Sequence, residues 1–353
     1  MITLEDVARH AGVSLATASR VLNGSSRQVG AALRVRVESS AAKLGYRVDA
    51  AAQTLARGAS NVVGVIIQDL TDPYFAAIAD GAIRSADLHD MVVTLGTTYR
   101  DPEREIALVA TLNAQRARAV LITGSRVDDA YLLGRLRAEL EVYRASGGRV
   151  AMIGQDLLGT DTVAPLNREG ARELAHAIAG QGHRRFAVLA GPKRLFTAAD
   201  RTLGFLEGLS ELGLPAPVVV HGGFDRDGGQ AAAEELLEMG AEVTCVFAVN
   251  DVMAMGALAA FRARGVEVPG ELSLAGFDDI PTLRDVVPSL TTVRLPLSHM
   301  GSMALDLALS SEDAPRVEPV AGQVVLRESV RKLGAPGTAA TTTAPAAHIP
   351  VTP

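Results

Sequence analysis

The chemistry that this 353-residue chain lacks sets the first limits. It has a single cysteine, Cys245, so no disulfide framework can form. Cys245 lies inside the apolar run Val243 to Val249, where a buried structural thiol is expected rather than a nucleophile or a ligand. No stretch approaches the roughly 18 uncharged apolar residues of a membrane span, and no apolar signal core opens the chain, so a soluble cytoplasmic protein is expected. The motifs G-x-G-x-x-G after a strand, G-x-x-x-x-G-K-[ST], G-x-S-x-G and H-E-x-x-H are missing, and the seven histidines show no metal spacing. These absences argue against a dehydrogenase, kinase or hydrolase, and no cofactor or metal is expected.

What is present is concentrated at the start. Leu4, Val7, Ala8 and Ala11 follow the i, i+3, i+4, i+7 stripe of one short helix, and Ala18, Val21 and Leu22 form the facing stripe of a second. Gly12 permits a tight turn between them, and Ser14 can accept the unpaired N–H groups at the start of the second helix. This is a helix-turn-helix pattern, whose second helix would present Leu15, Ala16, Ser19, Arg20 and Asn23 to a DNA major groove. An ordinary helical hairpin would share the periodicity, and charge separates the two readings. Residues 1–60 hold eight of the 34 basic residues and four of the 40 acidic ones, a net of +4, leaving the remainder at −10. A basic head on an acidic body suits phosphate contact at one end only.

Beyond Ser60 short apolar runs alternate with helical periods: Val62–Ile67, Val92–Leu95, Ala119–Ile122, Val150–Ile153, Phe186–Leu189, Val218–Val220, Val243–Val249 and Leu272–Ala275. Such alternation predicts parallel sheets covered by helices. Glycine, Asn or Asp follows most runs, collecting polar groups at strand carboxyl ends, where open α/β sheets bind ligands. Two smaller sheets facing a cleft fit better than one continuous sheet. The chain should cross between them near Asp161 and again near Leu290, before a helix from Leu297 and a strand from Gln323 to Val330. The Ala/Thr/Pro-rich segment from Gly334 onward has no periodicity and is expected to be disordered.

Several segments together give the chain a family resemblance: Thr3-Leu-Glu-Asp-Val-Ala-Arg-His-Ala-Gly-Val-Ser14, Ser19-Arg-Val-Leu-Asn23, Lys43-Leu-Gly-Tyr46, Asp72-Pro-Tyr-Phe75, Arg201 with Gly204-Phe205, Asn250-Asp251, Gly276-Phe-Asp-Asp279 and Leu290-Thr-Thr292. The chain resembles a LacI/GalR-type transcriptional regulator over essentially its whole length up to the tail. The resemblance implies an all-α helix-turn-helix head on an α/β core of two doubly wound parallel-sheet subdomains, similar to periplasmic binding proteins. It divides the chain into a head (1–48), a hinge helix (49–60), a core (61–332) and a tail (333–353). Within the core, one subdomain takes about 61–161 plus 292–320 and the other about 162–291 plus 321–332. A sugar-transport protein of the same core fold would have a secretory signal and no helix-turn-helix, the reverse of this chain.

Carried over to the head, the resemblance gives base-reading roles to Leu15, Ala16 and Arg20, and phosphate contacts to Ser14, Thr17, Ser19, Asn23 and Arg34. Of the base readers only Arg20 can hydrogen-bond strongly, as a guanidinium suits the paired acceptors of guanine. Leu55 matches the leucine that the family inserts into the minor groove from a hinge helix that orders on operator DNA. Here Val48-Asp49 replaces a frequent Pro-Asn, and Gly30 and Leu33 weaken the usual small polar start of the third helix.

In the core the resemblance places Tyr74 and Phe75 on the cleft wall, Phe224 as a stacking face, and Arg201, Asn250 and Asp278 as polar contacts to a small-molecule effector. These residue types suit a sugar, whose ring stacks on an aromatic and whose hydroxyls pair with Arg, Asp and Asn. Thr123, Ser125, Asn167 and Thr197 are secondary contacts. Leu166, Gly154 and Leu295 stand where the family is often polar, pointing to a ligand smaller or less hydroxylated than a disaccharide, and Leu195 replaces a basic residue of some purine-responsive members. The implied protein is a repressor, a homodimer on a palindromic double-stranded operator, with an interface on the helix after Phe75 or the helix after Leu297. No leucine heptads follow Val330 to join dimers into tetramers. Whether the effector releases or tightens DNA binding is open, since both use the same parts.

Overall fold

A computed structural model describes residues 2–22, 29–47, 60–310, 312 and 314–333. The head contains α1 (Leu4–Ala11), α2 (Leu15–Leu22) and α3 (Ala31–Leu44). Thr3 and Asp6 close a capping box on α1: Asp6 N–H donates to Thr3 Oγ1 and Thr3 N–H to Asp6 Oδ2 at 2.9 Å. The helix ends at Gly12, whose φ of 61° is the left-handed conformation that glycine adopts without strain. Val7, Ala8, Ala11, Ala18, Val21, Val37 and Ala41 form a small core. Arg36 of α3 donates to the carbonyls of Ala11 and Gly12 at 2.8 and 3.0 Å, tying the third helix to the exposed carboxyl end of the first. α3 starts at Gly30 with no side-chain cap, as its sequence suggests.

The core contains two parallel sheets. The first comprises β1 (Val62–Ile67), β2 (Val92–Thr97), β3 (Ala119–Thr123), β4 (Arg149–Ile153), β5 (Asp161–Pro165) and β11 (Val317–Val320), in the order β11-β5-β4-β3-β1-β2. The second comprises β6 (Phe186–Ala190), β7 (Val218–His221), β8 (Cys245–Ala248) and β9 (Ser273–Ala275), in the order β7-β6-β8-β9. A two-stranded antiparallel ribbon of β10 (Thr292–Arg294) and β12 (Gln323–Val325) joins them. The helices are α4 (Pro73–Leu88), α5 (Pro102–Ala114), α6 (Ala130–Ala145), α7 (Asn167–Gly180), α8 (Phe196–Glu211), α9 (Arg226–Glu238), α10 (Asp251–Ala263) and α11 (Leu297–Leu309). No described helix is long and apolar enough to cross a membrane.

The apolar runs are continuous because both sheet faces are covered. Val63, Val65, Ile67, Ala119, Leu121, Ala151 and Ile153 join the core under α4 and α11, while Ile66, Val120, Ile122, Val150 and Met152 face the helices α5 and α6. α4 and α11 approach so closely that a Cβ on Gly81 would lie 1.8 Å from the Ser298 carbonyl oxygen, and one on Gly301 2.0 Å from that of Ile78. The faces on which α4 and α11 meet are buried within the chain.

Two corrections follow from the sheet order. Asp161–Pro165 pairs with β4 and β11, so the chain first crosses after Pro165, not at Asp161. The strand expected from Gln323 to Val330 ends at Val325.

Candidate functional site

Two surfaces collect the residues that the sequence singles out. In the head, Ser14 Oγ accepts from Thr17 N–H at 3.1 Å, capping α2, and meets Thr17 Oγ1 at 2.9 Å. Leu15, Ala16 and Arg20 are exposed on the opposite side of α2 from buried Ala18 and Val21. Leu15 is 51% exposed, so it is not part of the head's packing and is available for an apolar contact. Thr17 and Ser19 are partly buried. Arg34, exposed on α3, lies 3.9 Å from Glu38 one turn on, a solvent-screened pairing that leaves the guanidinium able to exchange partners. Asn23, Leu55 and the Val48-Asp49 departure lie outside the described residues.

The second surface is a cleft whose walls are carboxyl ends of strands, where the topology leaves open space between sheets. Gln68 follows β1, Arg100 follows β2, Ser125 follows β3, Gly154 follows β4, and Asn167 follows β5. From the second sheet, Thr197 follows β6, Phe224 β7, Asn250 β8 and Asp278 β9. Tyr74, Phe75, Arg201, Phe224, Asn250 and Asp278 all line this one cavity of about 30 Å3.

Arg201 holds its centre. It projects from α8 and is 2% exposed. Its Nε donates to Asn167 Oδ1 at 2.8 Å, Nη1 to the Val249 carbonyl at 2.8 Å and Nη2 to Asp278 Oδ1 at 2.7 Å. The guanidinium also lies 3.9 Å from the centroid of the Phe277 ring. Burial raises the Asp278 carboxyl to about 6, opposed by the Arg201 charge. Each member of the pair is the other's hydrogen-bond partner. A ligand that inserts between them must replace those bonds, which hydroxyls can do with donors and acceptors alike.

Asn250 caps α10, its Oδ1 accepting from Met253 N–H at 2.8 Å. Tyr74 and Phe75 open α4 with rings edge-to-face at 5.0 Å, after Asp72, which caps the helix through Tyr74 N–H and precedes Pro73. Burial raises the Asp72 carboxyl. Thr123 is buried with its hydroxyl bonded to the Ile66 carbonyl, which turns it away from the cavity wall.

Sequence reasoning missed Gln68, Asp72 and Arg100. Arg100 lies 3.7 Å from Asp72 and 5.7 Å from the Phe224 centroid, linking α4 to the far wall. The available signal was position: each follows a strand of the first sheet or caps the next helix.

Loops 125–129 and 194–197 latch the two walls of the cleft to each other. Val127 and Leu195 form an antiparallel bridge, Asp128 N–H donates to the Arg194 carbonyl at 2.7 Å and Phe196 N–H to that of Arg126 at 3.1 Å. Thr197 N–H donates to Ser125 Oγ at 2.9 Å, and Gln155 Nε2 to Thr197 Oγ1 at 2.9 Å.

Comparison with known proteins decides what this pairing of head and cleft is. A model of the "Bacterial regulatory proteins, lacI family" matches residues 3–49, and one of the "Periplasmic binding protein-like domain" matches 175–330. The chain is 37% identical to the HTH-type transcriptional regulator GalS of Salmonella typhimurium over 313 residues, covering 88% of this chain and 89% of the relative. The chain belongs to the LacI family. This LacI-family regulator is also 35% identical to GalR of Escherichia coli, with 89% and 90% covered, and 30% identical to the repressor PurR of Klebsiella pneumoniae, with 88% and 90% covered. Among solved structures, the lac repressor dimer bound to operator and the anti-inducer ONPF superposes with a TM-score of 0.80 at 25% identity, covering 94% of this chain and 99% of that one. The CelR–cellobiose complex superposes at 0.68 with 28% identity, covering 93% and 100%. The fold expected from the sequence is the one found, and the protein is a DNA-binding transcriptional regulator with an effector-binding core.

Proposed function

We propose that this regulator is a repressor that binds a palindromic operator as a homodimer, with operator affinity set by a sugar or sugar derivative seated in the cleft. The observation that carries the effector reading is the buried Arg201–Asp278 pair beside Asn250, with Phe224, Tyr74 and Phe75 on the surrounding walls. The relatives' names do not supply the ligand; the chemistry of the wall does, through bidentate polar partners and an aromatic face. In the head, Arg20 reads guanine, Leu15 and Ala16 offer apolar contacts, and Ser14, Thr17, Ser19, Asn23 and Arg34 approach phosphate, with Leu55 wedged into the minor groove. Pairing of heads follows from the small footprint of one helix-turn-helix and from the lac repressor dimer it superposes on.

The mechanism is linkage. Effector bound between the sheets favours one cleft geometry, including the 125–129 and 194–197 latch, and the spacing of the paired heads changes with it. A coupling of roughly 1–3 kcal/mol would change operator affinity about 5- to 150-fold, reciprocally.

The test selects bound sequences from a random DNA pool with the purified full chain, then repeats the selection with Leu55→Ala. An inverted repeat with a fixed central step, lost in the variant, supports the reading and supplies the operator. A sugar and purine panel is next titrated against that operator complex. Sequence-independent, salt-sensitive binding alone, or a response to purine bases and no sugar, overturns it.

A further inference from the structure

Two consecutive residues other than glycine follow β9 with positive φ: Asp278 at 121° and Asp279 at 57°. Residues with a side chain rarely adopt such a backbone, which persists only where its surroundings force it and which gathers at ligand clamps and switch points. Asp278 is the buried carboxylate that meets Arg201. Its backbone is held by the crossing ribbon: Asp278 N–H donates to the Val293 carbonyl at 2.9 Å, and Leu295 N–H donates to the Asp278 carbonyl at 3.2 Å.

Asp279 clips the same ribbon through its side chain. Its Oδ2 accepts from Arg294 Nε of β10 at 2.7 Å and from Arg327 Nη2, just past β12, at 2.9 Å, while Oδ1 lies 2.7 Å from Arg327 Nη1. Arg327 also donates to the Leu290 carbonyl, where the chain approaches β10. Among the described residues neither guanidinium has another carboxylate within 4 Å. One carboxylate therefore neutralises two cations on the chain segments that join the subdomains, and without it the two like charges would repel each other. The Asp279 side chain is only 10% exposed, so solvent and salt screen these pairs weakly.

We infer that Asp279 is a positioning residue: its ion pairs hold the strained turn that aims Asp278 at Arg201 and, through the ribbon, fix the angle between the two walls of the cleft. The part of Asp278 in binding an effector rests on the reading above, whereas the cleft angle belongs to the protein alone and is measured without ligand. Asparagine isolates the charge, because it tolerates positive φ as aspartate does but turns an amide donor toward a guanidinium.

The experiment measures the distance between spin labels on Ala138→Cys of α6 and Ala231→Cys of α9, both exposed and on different subdomains, in full-length protein diluted with unlabelled chain. Cys245 is buried and escapes labelling. The wild type should give one narrow distance distribution. Asp279→Asn should shift it to longer distances, and the Arg294→Gln/Arg327→Gln double variant should reproduce that shift. Arg185→Gln, which breaks an exposed ion pair with Glu242 inside the second subdomain, should leave it in place. Urea midpoints on the same samples separate positioning from simple stabilisation: a lowered midpoint with an unchanged distance overturns the inference, as does a shift in only one of the two test variants. If Asp279→Asn does not fold, Asp279→Gly replaces it, since glycine takes this φ without strain; if the double variant does not fold, Arg327→Gln alone replaces it. A shifted distance in a protein that responds to no sugar overturns the effector reading and leaves the role of Asp279 standing.

Discussion

Arg201 and Asp278 meet at 2.7 Å in the buried floor of the cleft, and the same guanidinium reaches Asn167 and the Val249 carbonyl, so one side chain ties α7, α8, the end of β8 and the loop after β9 together. The residues proposed to recognise a ligand here also hold the second subdomain's strand ends in register. Recognition and stability are therefore measurable separately only by choosing the substitution.

Arg201→Ala should cost about 3–5 kcal/mol of core stability, because it leaves the Asp278 carboxylate and the Asn167 amide buried without their partner. Arg201→Lys keeps the charge but cannot reach three acceptors in a fork, and should recover only part of that loss. Urea unfolding of the three proteins at pH 7 checks the order wild type, Lys, Ala.

Asp251 predicts an unusual pH dependence. It is fully buried, accepts from Thr292 Oγ1 at 2.7 Å and from Ile280 N–H at 3.0 Å, and is raised to about 7 by burial and by the Asp278 charge. Its folded value exceeds the unfolded one of about 3.9, so its stabilising share is complete below about pH 4 and is lost as pH rises through 7. The Asp279 and Glu207 carboxyls are lowered, the first by Arg327 and Arg294 against its own burial, the second by Arg168. Their shares are lost only as pH falls below the carboxylate range. Core stability should decline between about pH 4 and 7, and Asp251→Asn should flatten that decline. Unfolding midpoints across the range measure it; an equally steep variant profile would refute the assignment.

Much of this fold was legible because both faces of the sheets are covered, so β1, β3, β4, β6 and β8 are uninterrupted apolar runs. β5 and β11 were not: Asp161-Thr-Val-Ala-Pro165 and Val317-Glu-Pro-Val320 are short and carry Asp, Glu and Pro. β11 tolerates its proline because it is an edge strand with one unpaired side. In the cleft, the six effector candidates were legible from the family motifs and the strand-end rule. Arg100 was not, since β2 was expected to stop at Leu95 but runs to Thr97, and Tyr99 and Arg100 then turn with φ of 54° and 63°. No local pattern marks such a turn in residues other than glycine or asparagine.

The contact of α4 with α11 gives a test of packing. Gly81→Ala would place its methyl 1.8 Å from the Ser298 carbonyl oxygen, and backbone cannot yield as a side-chain end does. The helices must separate, at a cost of about 1–3 kcal/mol or more. Gly134→Ala on α6 meets nothing within 4 Å and should be neutral or slightly stabilising, as alanine is the better helix former. Thermal unfolding of both variants distinguishes a packing effect from a general response to losing glycine.

Ser14 combines two duties that one pair of variants separates. Its hydroxyl caps α2 through Thr17 N–H, and the family resemblance also brings it to phosphate. Ser14→Ala should remove about 1 kcal/mol from the head and weaken operator binding for both reasons. Aspartate caps as well as serine and is favoured by the helix dipole, but it repels phosphate. Ser14→Asp should therefore restore head stability, read by amide hydrogen exchange in residues 15–22, while operator affinity stays low. Recovery of affinity with Asp would mean that Ser14 acts only by shaping α2, and that Thr17, Ser19 and Arg34 carry the phosphate contact without it.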